Sequence, residues 1–530
     1  MSDRPHADST PLQLNPVLPV GIAVAVWVAI LVVAFGSLHF FYTRGLTQLY
    51  GDTLAHMAGA RRLFDSLTPG YAALGEVWLP MFHLLAAPLA INDHLWRTGL
   101  AGSLVATVAF SVSAWFLFRL ALEMNRSIPA AFVALTAFLL CPSMFYLSTT
   151  PMTEPLAILW VVLAVYGLFR YQMNGRKLAI IGAGFAAFFG TLTRYSAWYL
   201  LPFAALFVFL ARKGPWRVRL GRAALFSVIG GAGPVLWMVH NAVSSGNPIE
   251  FYNGPNSARA IYAHQVATTA FRYPTDGSLL LSARYYVEDL KLILGPWLLV
   301  VAVAGLMMWM LERRYRSRRA AVLLLLVLLP FYVQAMAGAA VPLYVPTYFP
   351  HSYYNLRYGI EMLPGIALLA SFAVSSTLSR KLRTGILALC LAVLLVQNAW
   401  MLAAGPRKLP VVREGILNTP CTAGPDRALI SFFRDHYDGQ QILMQPGEWP
   451  CFAPTLDIHY RKILSGANLK YWRQIPRGAQ HLVEWVVAGE GDPVDILMRA
   501  YPDAFKNFVP VFHRNFPFQK SFTIYRRKYD

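Results

Sequence analysis

Eleven mostly apolar stretches of 15 to 28 residues recur between Val17 and Met401, and no other property of this 530-residue chain restricts its fold as much. They run Val17–Phe41, Leu95–Leu122, Ile128–Leu147, Pro155–Tyr171, Leu178–Leu192, Ala197–Ala211, Ala223–Val243, Leu292–Leu311, Ala320–Met336, Ile360–Thr377 and Leu382–Met401. A helix needs about 20 such residues to cross the hydrocarbon core of a bilayer. The expectation is an all-α polytopic membrane domain of about eleven transmembrane helices. The first stretch is too long for a cleavable signal and has neither a compact basic start nor a small-residue cleavage site. A further apolar run, Val77 to Ala90, is short and carries Pro80 and Pro88, so it reads as a helix lying in the interface.

Composition agrees: 56% of residues are hydrophobic and 14% charged, with mean hydropathy +0.45. A soluble domain carries about 25% charged residues, so a soluble enzyme and a disordered scaffold are excluded. The charge is unevenly spread. Residues 405–530 hold 29 charged positions in 126, against 43 in the first 404. The expected organisation is a cytoplasmic tail over 1–15, a membrane domain over 16–404 and a soluble C-terminal domain over 405–530.

A net charge of +20 invites nucleic acid or an anionic membrane as partner. Position decides between them. Of the 29 basic residues before 405, 18 fall in five short loops, among them Arg212–Arg222, Arg313–Arg319 and Arg380–Arg383. That is the positive-inside pattern, with the N-terminus inside; it orients the chain and leaves no call for nucleic acid. The first long loop (42–94) and the C-terminal domain then face outward, in an inner membrane with the domain extracytoplasmic. Ten acids gather on that face or near it: Asp52, Asp65, Glu76, Asp93, Glu154, Glu250, Asp276, Glu288, Asp289 and Glu361.

Among these, Asp52 opens a stretch with helical spacing (Leu54, Met57, Arg61, Phe64), so it stands at the start of an amphipathic surface helix. It reads as an N-cap, as a general base at the membrane–water boundary, or as both at once. Glu154 precedes Pro155 at a span boundary, as a helix-start acid or an ionisable functional group. Arg194 and Arg357 sit at outer mouths of spans, each followed by Tyr (Tyr195, Tyr358). They snorkel to headgroups, with Arg357 free to pair with Glu361, or they bind a lipid-linked phosphate. His56, one turn after Asp52, is a solvated side chain or an auxiliary to it, and Arg61 and Tyr358 are further auxiliary candidates. Cys421 and Cys451 are the pair in the outward domain and are expected to bridge there, two free thiols being the alternative; Cys141 and Cys390 lie inside spans.

Four stretches, in this order, resemble the polyprenyl-phosphate-dependent glycosyltransferases of the GT-C fold, such as bacterial protein O-mannosyltransferases and the lipid A aminoarabinose transferase. They are Gly51-Asp-Thr-Leu54 with Val77-Trp-Leu-Pro80, Pro151-Met-Thr-Glu-Pro155, Leu192-Thr-Arg-Tyr195 and Arg357-Tyr-Gly-Ile-Glu-Met-Leu-Pro364. The resemblance implies an inverting hexosyl- or pentosyltransferase, drawing on a polyprenyl-phosphate sugar donor and passing the sugar to a lipid, glycan or protein acceptor. It implies Asp52 as general base, Glu154 as the second-loop acid orienting acceptor or sugar, and Arg357 with Arg194 near the donor phosphate. Many relatives carry two adjacent acids in the first loop, whereas Thr53 follows Asp52 here. No cofactor is expected, and metal-independent action is favoured over a divalent ion.

From Asp426 the pattern alternates: helix Arg427–His436, strands Gln441–Gln445 and Leu482–Ala488, helix Pro493–Arg499, strand Ser521–Arg526. This predicts a small α/β domain acting as a structural cap, or binding acceptor through Trp449, Tyr471, Trp472 and Trp485. A lipid-linked saccharide transporter or a non-catalytic assembly subunit is the alternative function. The chain shows no internal repeat, and its ionisable groups gather at helix ends rather than at mid-membrane, which disfavours transport.

Overall fold

The computed structural model describes residues 18–312, 317–374, 379–517 and 519–528. The expected tail over 1–15, the ends of two apolar stretches at Val17 and Thr377, and the loop residues Arg313, Arg314 and Arg316 lie outside them. Among the described residues, six helices are long and apolar enough to cross a membrane: Val20–Tyr42, Leu100–Asn125, Glu154–Asn174, Trp216–Ser245, Ser317–Ala337 and Arg380–Ala403. Leu279–Leu294 and Pro296–Leu311 would make a seventh as one broken span, bent by 110°.

Six of the eleven apolar stretches are therefore long helices, and five are short or broken. Lys177–Thr191 and Ser196–Leu210 have 15 residues each, and Ile128–Leu139 stops before Cys141, which caps a second short helix, Pro142–Leu147. The stretch from Ile360 starts as a 3₁₀ turn, Leu356–Met362, before the helix Leu363–Phe372. Proline explains two of the breaks, since Pro142 and Pro296 each open a new helix. At the 110° bend the freed backbone groups are satisfied by a side chain from the last long helix. Gln397 Oε1 accepts from the Trp297 N–H at 2.7 Å, and its Nε2 donates to the Leu294 carbonyl at 3.0 Å. Gly295 at the bend has φ +84°, and a Cβ there would fall 2.3 Å from Gln397 Cδ.

The two ends of the bundle differ in charge. Near its C-terminal end, the Glu154–Asn174 helix carries Arg170, which pairs with Glu123 at 2.9 Å; Arg119 joins at 3.1 Å, and Arg318 donates to the Glu123 carbonyl. Glu154 is the first residue of that helix, 16 residues earlier and so roughly 24 Å away. Basic loops and the carboxylate cluster described below thus sit a helix length apart.

The C-terminal region forms a mixed five-stranded sheet, from β1 (Ile442–Leu443), β2 (Ile463–Leu464), β3 (Trp485–Gly489), β4 (Phe508–Arg514) and β5 (Phe522–Arg527), in the order β2-β1-β3-β5-β4. β1 runs parallel to β2 and β3; β5 is antiparallel to β3 and β4. Helices Gly424–His436 and Pro493–Ala500 match the sequence expectation closely. Two strands escape it. β2 has only two residues. β4 carries Pro510 beside a register shift, which an edge strand tolerates and a central strand would not. Cys421 and Cys451 form the expected disulfide, Cα atoms 5.5 Å apart.

One apolar cluster joins Leu54, Met57, Phe82 and Trp96 of the first long loop to Phe433, Trp449, Trp485 and Phe522 around the sheet. The helix Pro410–Asn418, although beyond the last long helix, contributes Val411 and Val412 to the core of the helical bundle.

Candidate active site

Four elements far apart in sequence converge on two guanidinium groups. The first is the helix Gly51–Arg62, where the Tyr50 carbonyl accepts from the Thr53 hydroxyl at 2.6 Å. Asp52 is the second residue of this helix and caps nothing; its Oδ2 pairs instead with Arg357 Nη2. The helix is not the amphipathic surface helix expected, because Leu54, His56, Met57, Gly59, Ala60 and Arg61 are all buried.

Glu154, fully buried, places Oε1 3.0 Å from Arg357 Nε and 3.0 Å from Arg194 Nη1. Arg194 lies in the turn between Lys177–Thr191 and Ser196–Leu210, donates to Thr153 Oγ1 at 2.9 Å, and brings Nε within 2.6 Å of Glu361. Arg357 sits on the 3₁₀ turn Leu356–Met362, and its Nη1 is 3.8 Å from Glu414. The sequence expectation of an Arg357–Glu361 pair is thus corrected: Glu361 faces Arg194. A 3₁₀ turn repeats every three residues rather than 3.6, so positions four apart point in different directions.

Both guanidinium groups lie over the ring of Tyr358, each centred 5.0 Å from it, and the ring of Tyr332 stacks on Tyr358 at 5.5 Å. The ring of Tyr50 gives Arg357 a further face at 5.3 Å. Four carboxylates (Asp52, Glu154, Glu361, Glu414) thus surround two arginines, and access separates them. The Asp52 side chain is 40% exposed, while those of Glu154, Glu361 and Glu414 are 0%, 1% and 2% exposed. Only Asp52 can meet a molecule arriving from solvent. Glu154 Oε1 meets both arginines, and its Oε2 is buried with no hydrogen-bond partner among the described residues.

His56 is buried, not solvated as expected. Its Nδ1 is 3.0 Å from His83 Nε2, and its ring lies 4.3 Å from that of Trp78. Two neutral imidazoles satisfy such a bond, one donating and one accepting. Burial drives His56 well below the usual histidine range, and His83 is pushed down to about 4 by burial and by Arg62. Arg61 is not brought to the cluster. At the far end of its helix it binds Asp65 (2.8 Å), Asp93 (2.6 Å), His459 (2.9 Å) and the carbonyls of Ala90 and Ile91. It fastens the first loop to the sheet region. The apolar run Val77 to Ala90 holds a short helix, Met81–Ala86, whose Phe82 and His83 are buried.

Sequence reasoning missed Glu414. The available signal was an Arg413-Glu414 pair flanked by Val411-Val412 and Gly415-Ile-Leu417 in the segment leaving the last span, where a carboxylate between apolar neighbours needs partners.

The crystal structure of ArnT from Cupriavidus metallidurans in the apo state is similar to this chain over 95% of its length and 98% of that chain, with a TM-score of 0.50 at 14% identity. The structure of the same ArnT bound to undecaprenyl phosphate gives 0.51 at 14% identity, over 96% and 98%. The chain has the fold of ArnT. No protein-family profile and no curated protein sequence matches it. The ArnT-like fold covers the helical membrane domain and the C-terminal sheet region alike, so the two form one architecture. The four resembling stretches fall within it, and each carries one residue of the Asp52, Glu154, Arg194 and Arg357 cluster.

Proposed function

We propose that this chain is an inverting membrane glycosyltransferase that moves a sugar from a polyprenyl-phosphate carrier to an acceptor hydroxyl. The observation that carries the reading is the partly exposed Asp52 carboxylate held against Arg357, within an ArnT-like fold. One of the similar ArnT structures holds undecaprenyl phosphate, which supports a carrier of that class here.

Asp52 acts as general base. It takes the proton of the acceptor hydroxyl as that oxygen attacks the anomeric carbon, and the carbon–oxygen bond to the carrier phosphate breaks with its electrons going to phosphate. The phosphate needs positive charge rather than a proton donor, and Arg357 with Arg194 supplies it. Arg357 Nη2, which pairs with Asp52, lies at the accessible edge of the cluster, where the carrier phosphate would meet it. Glu154 keeps both arginines in place.

The eleven apolar stretches are spans of the cell's inner membrane, with the N-terminus inside. The first loop and the domain from 405 onward face outward, and the division at 16 and 405 separates tail, membrane domain and extracytoplasmic domain. The basic loops support this orientation. Transfer from a panel of polyprenyl-phosphate sugars by purified protein tests the reading. Wild type is expected to transfer at least one sugar, and Asp52→Asn to be slower by about 100-fold or more. Full activity of the Asn enzyme overturns the base, and no transfer from any donor overturns the enzyme.

A further inference from the structure

Glu414 reaches the cluster from a segment beyond the last long helix. It lies on the helix Pro410–Asn418; its Oε1 accepts from the Asn355 N–H at 2.6 Å and its Oε2 from the Leu356 N–H at 3.0 Å. Those two amides open the 3₁₀ turn that carries Arg357, and Asn355 itself is left-handed with φ 58°. N–H groups at the start of a helical turn have no partner within it, and here a carboxylate from a separate element supplies both acceptors. The same carboxylate stands 3.8 Å from Arg357 Nη1.

The short helix also holds the other side of the Asp52–Arg357 pair. The Val411 carbonyl accepts from the hydroxyl of Tyr50, the residue that precedes the Asp52 helix. Gly415 lies so close to the first loop that a Cβ would come within 2.8 Å of Leu49 Cβ, and Pro420 is the neighbour of Gly51. One nine-residue helix therefore binds the backbone of the turn that carries Arg357 and the side chains of Leu49 and Tyr50 just ahead of Asp52.

We propose that Glu414 is a positioning residue for transfer: it fixes the turn that presents Arg357, and with the Pro410–Asn418 helix it sets Arg357 and Asp52 in one frame. This rests on the reading of Asp52 and Arg357 as the transfer residues. The first α-helix of the domain from 405 onward is then part of the active centre, and not a cover alone.

The groups around Glu414 are Arg357, Asp52, Asp289, Tyr50 and Tyr146. Burial pushes its carboxyl up to about 7, against the pull of Arg357 and the two backbone donors. Protonation below that range converts one acceptor oxygen into a donor facing an N–H, so the frame loosens as pH falls through neutrality.

The test compares Glu414→Gln, Glu414→Asp and the surface control Glu448→Gln in the full-length protein, by steady-state transfer and by amide hydrogen exchange. Gln keeps one acceptor and sets an NH₂ group against the other N–H. Loss of one charge-assisted bond predicts kcat lower by about 10- to 100-fold, with donor KM changed less than about threefold. Exchange at Asn355 and Leu356 should quicken in Glu414→Gln, Glu414→Asp should recover part of kcat, and the kcat–pH profile should lose the fall near pH 7. Wild-type kcat in Glu414→Gln, or a lost kcat without faster exchange, overturns the proposal. If wild type transfers nothing, the reading of function fails, and the exchange comparison alone still decides whether Glu414 holds the turn.

Discussion

Glu154 and Arg357, 203 residues apart in the sequence, meet at 3.0 Å between Oε1 and Nε, and the Glu154 side chain has no exposure to solvent. The contact divides the Arg357 fork into two functions. Its Nε is anchored inward, and one terminal nitrogen remains for Asp52 at the accessible edge. A guanidinium can do this because its donors are fixed in one plane; an ammonium cannot.

Arg357→Met is expected to destabilise the protein by about 3 kcal/mol, the low end for breaking a buried ion pair, because Arg194 still faces Glu154. Arg357→Lys should not restore activity, since one ammonium cannot reach Glu154 and Asp52 together. Adding Glu154→Gln to Arg357→Met should recover part of the lost stability and none of the transfer. Thermal unfolding in detergent and initial rates check the series; an active Lys enzyme would count against the fork.

Stability should fall as the medium is acidified from pH 6.5 towards 4, through His83. Its folded pKa of about 4 lies below the ordinary value of 6.5, so in that window the unfolded chain takes up a proton that the folded chain refuses. Crossing the whole window costs about 3 kcal/mol from this group. Glu414 works with the opposite sign between about 4.5 and 7, since its folded value is raised, so its contribution falls as pH rises. The readout is therefore the difference between wild type and His83→Asn as a function of pH. Parallel curves for the two proteins would refute the assignment.

Arg61→Met should loosen the sheet region from the first loop while sparing the chemistry. It removes donors from Asp65, Asp93, His459 and two carbonyls at once, and leaves Asp65 buried beside His459. A loss of about 3–5 kcal/mol is expected. Limited proteolysis of the linker after Asn418 should accelerate, with residual transfer well above that of Asp52→Asn. Equal loss of transfer in the two variants would place Arg61 in the site after all.

Reduction of the Cys421–Cys451 bridge should cost about 3–4 kcal/mol, from the chain entropy released in a loop of 30 residues. The Cys421→Ser, Cys451→Ser double variant should lose similar stability, and reductant should then have no further effect on it. Unfolding midpoints with and without reductant measure both; a wild-type midpoint indifferent to reductant would refute the expectation.

Helical membrane segments, the C-terminal α/β region, Asp52, Glu154, Arg194 and Arg357 as charged candidates, and the Cys421–Cys451 pairing were all legible in the sequence. Apolar length and helix-start chemistry are local properties, written in runs of neighbouring residues. Partnership between buried charges is not local. The sequence offered Glu361 to Arg357 by proximity, and the fold gave it to Arg194 because a 3₁₀ turn points the two side chains apart. His56 read as a solvated residue because its helix looks amphipathic; packing of His83 and Trp78 on its outer side buried it. Glu414 had no motif around it, since its ligands are two backbone amides that become neighbours only when the Pro410–Asn418 helix folds back between Tyr50 and Leu356. What the sequence determined is the number and kind of elements and which charged residues they carry. Only the tertiary structure decided which carboxylate meets which arginine, because a buried charge is stable only beside its counter-charge, and contacts 203 and 305 residues apart exist nowhere but in three dimensions.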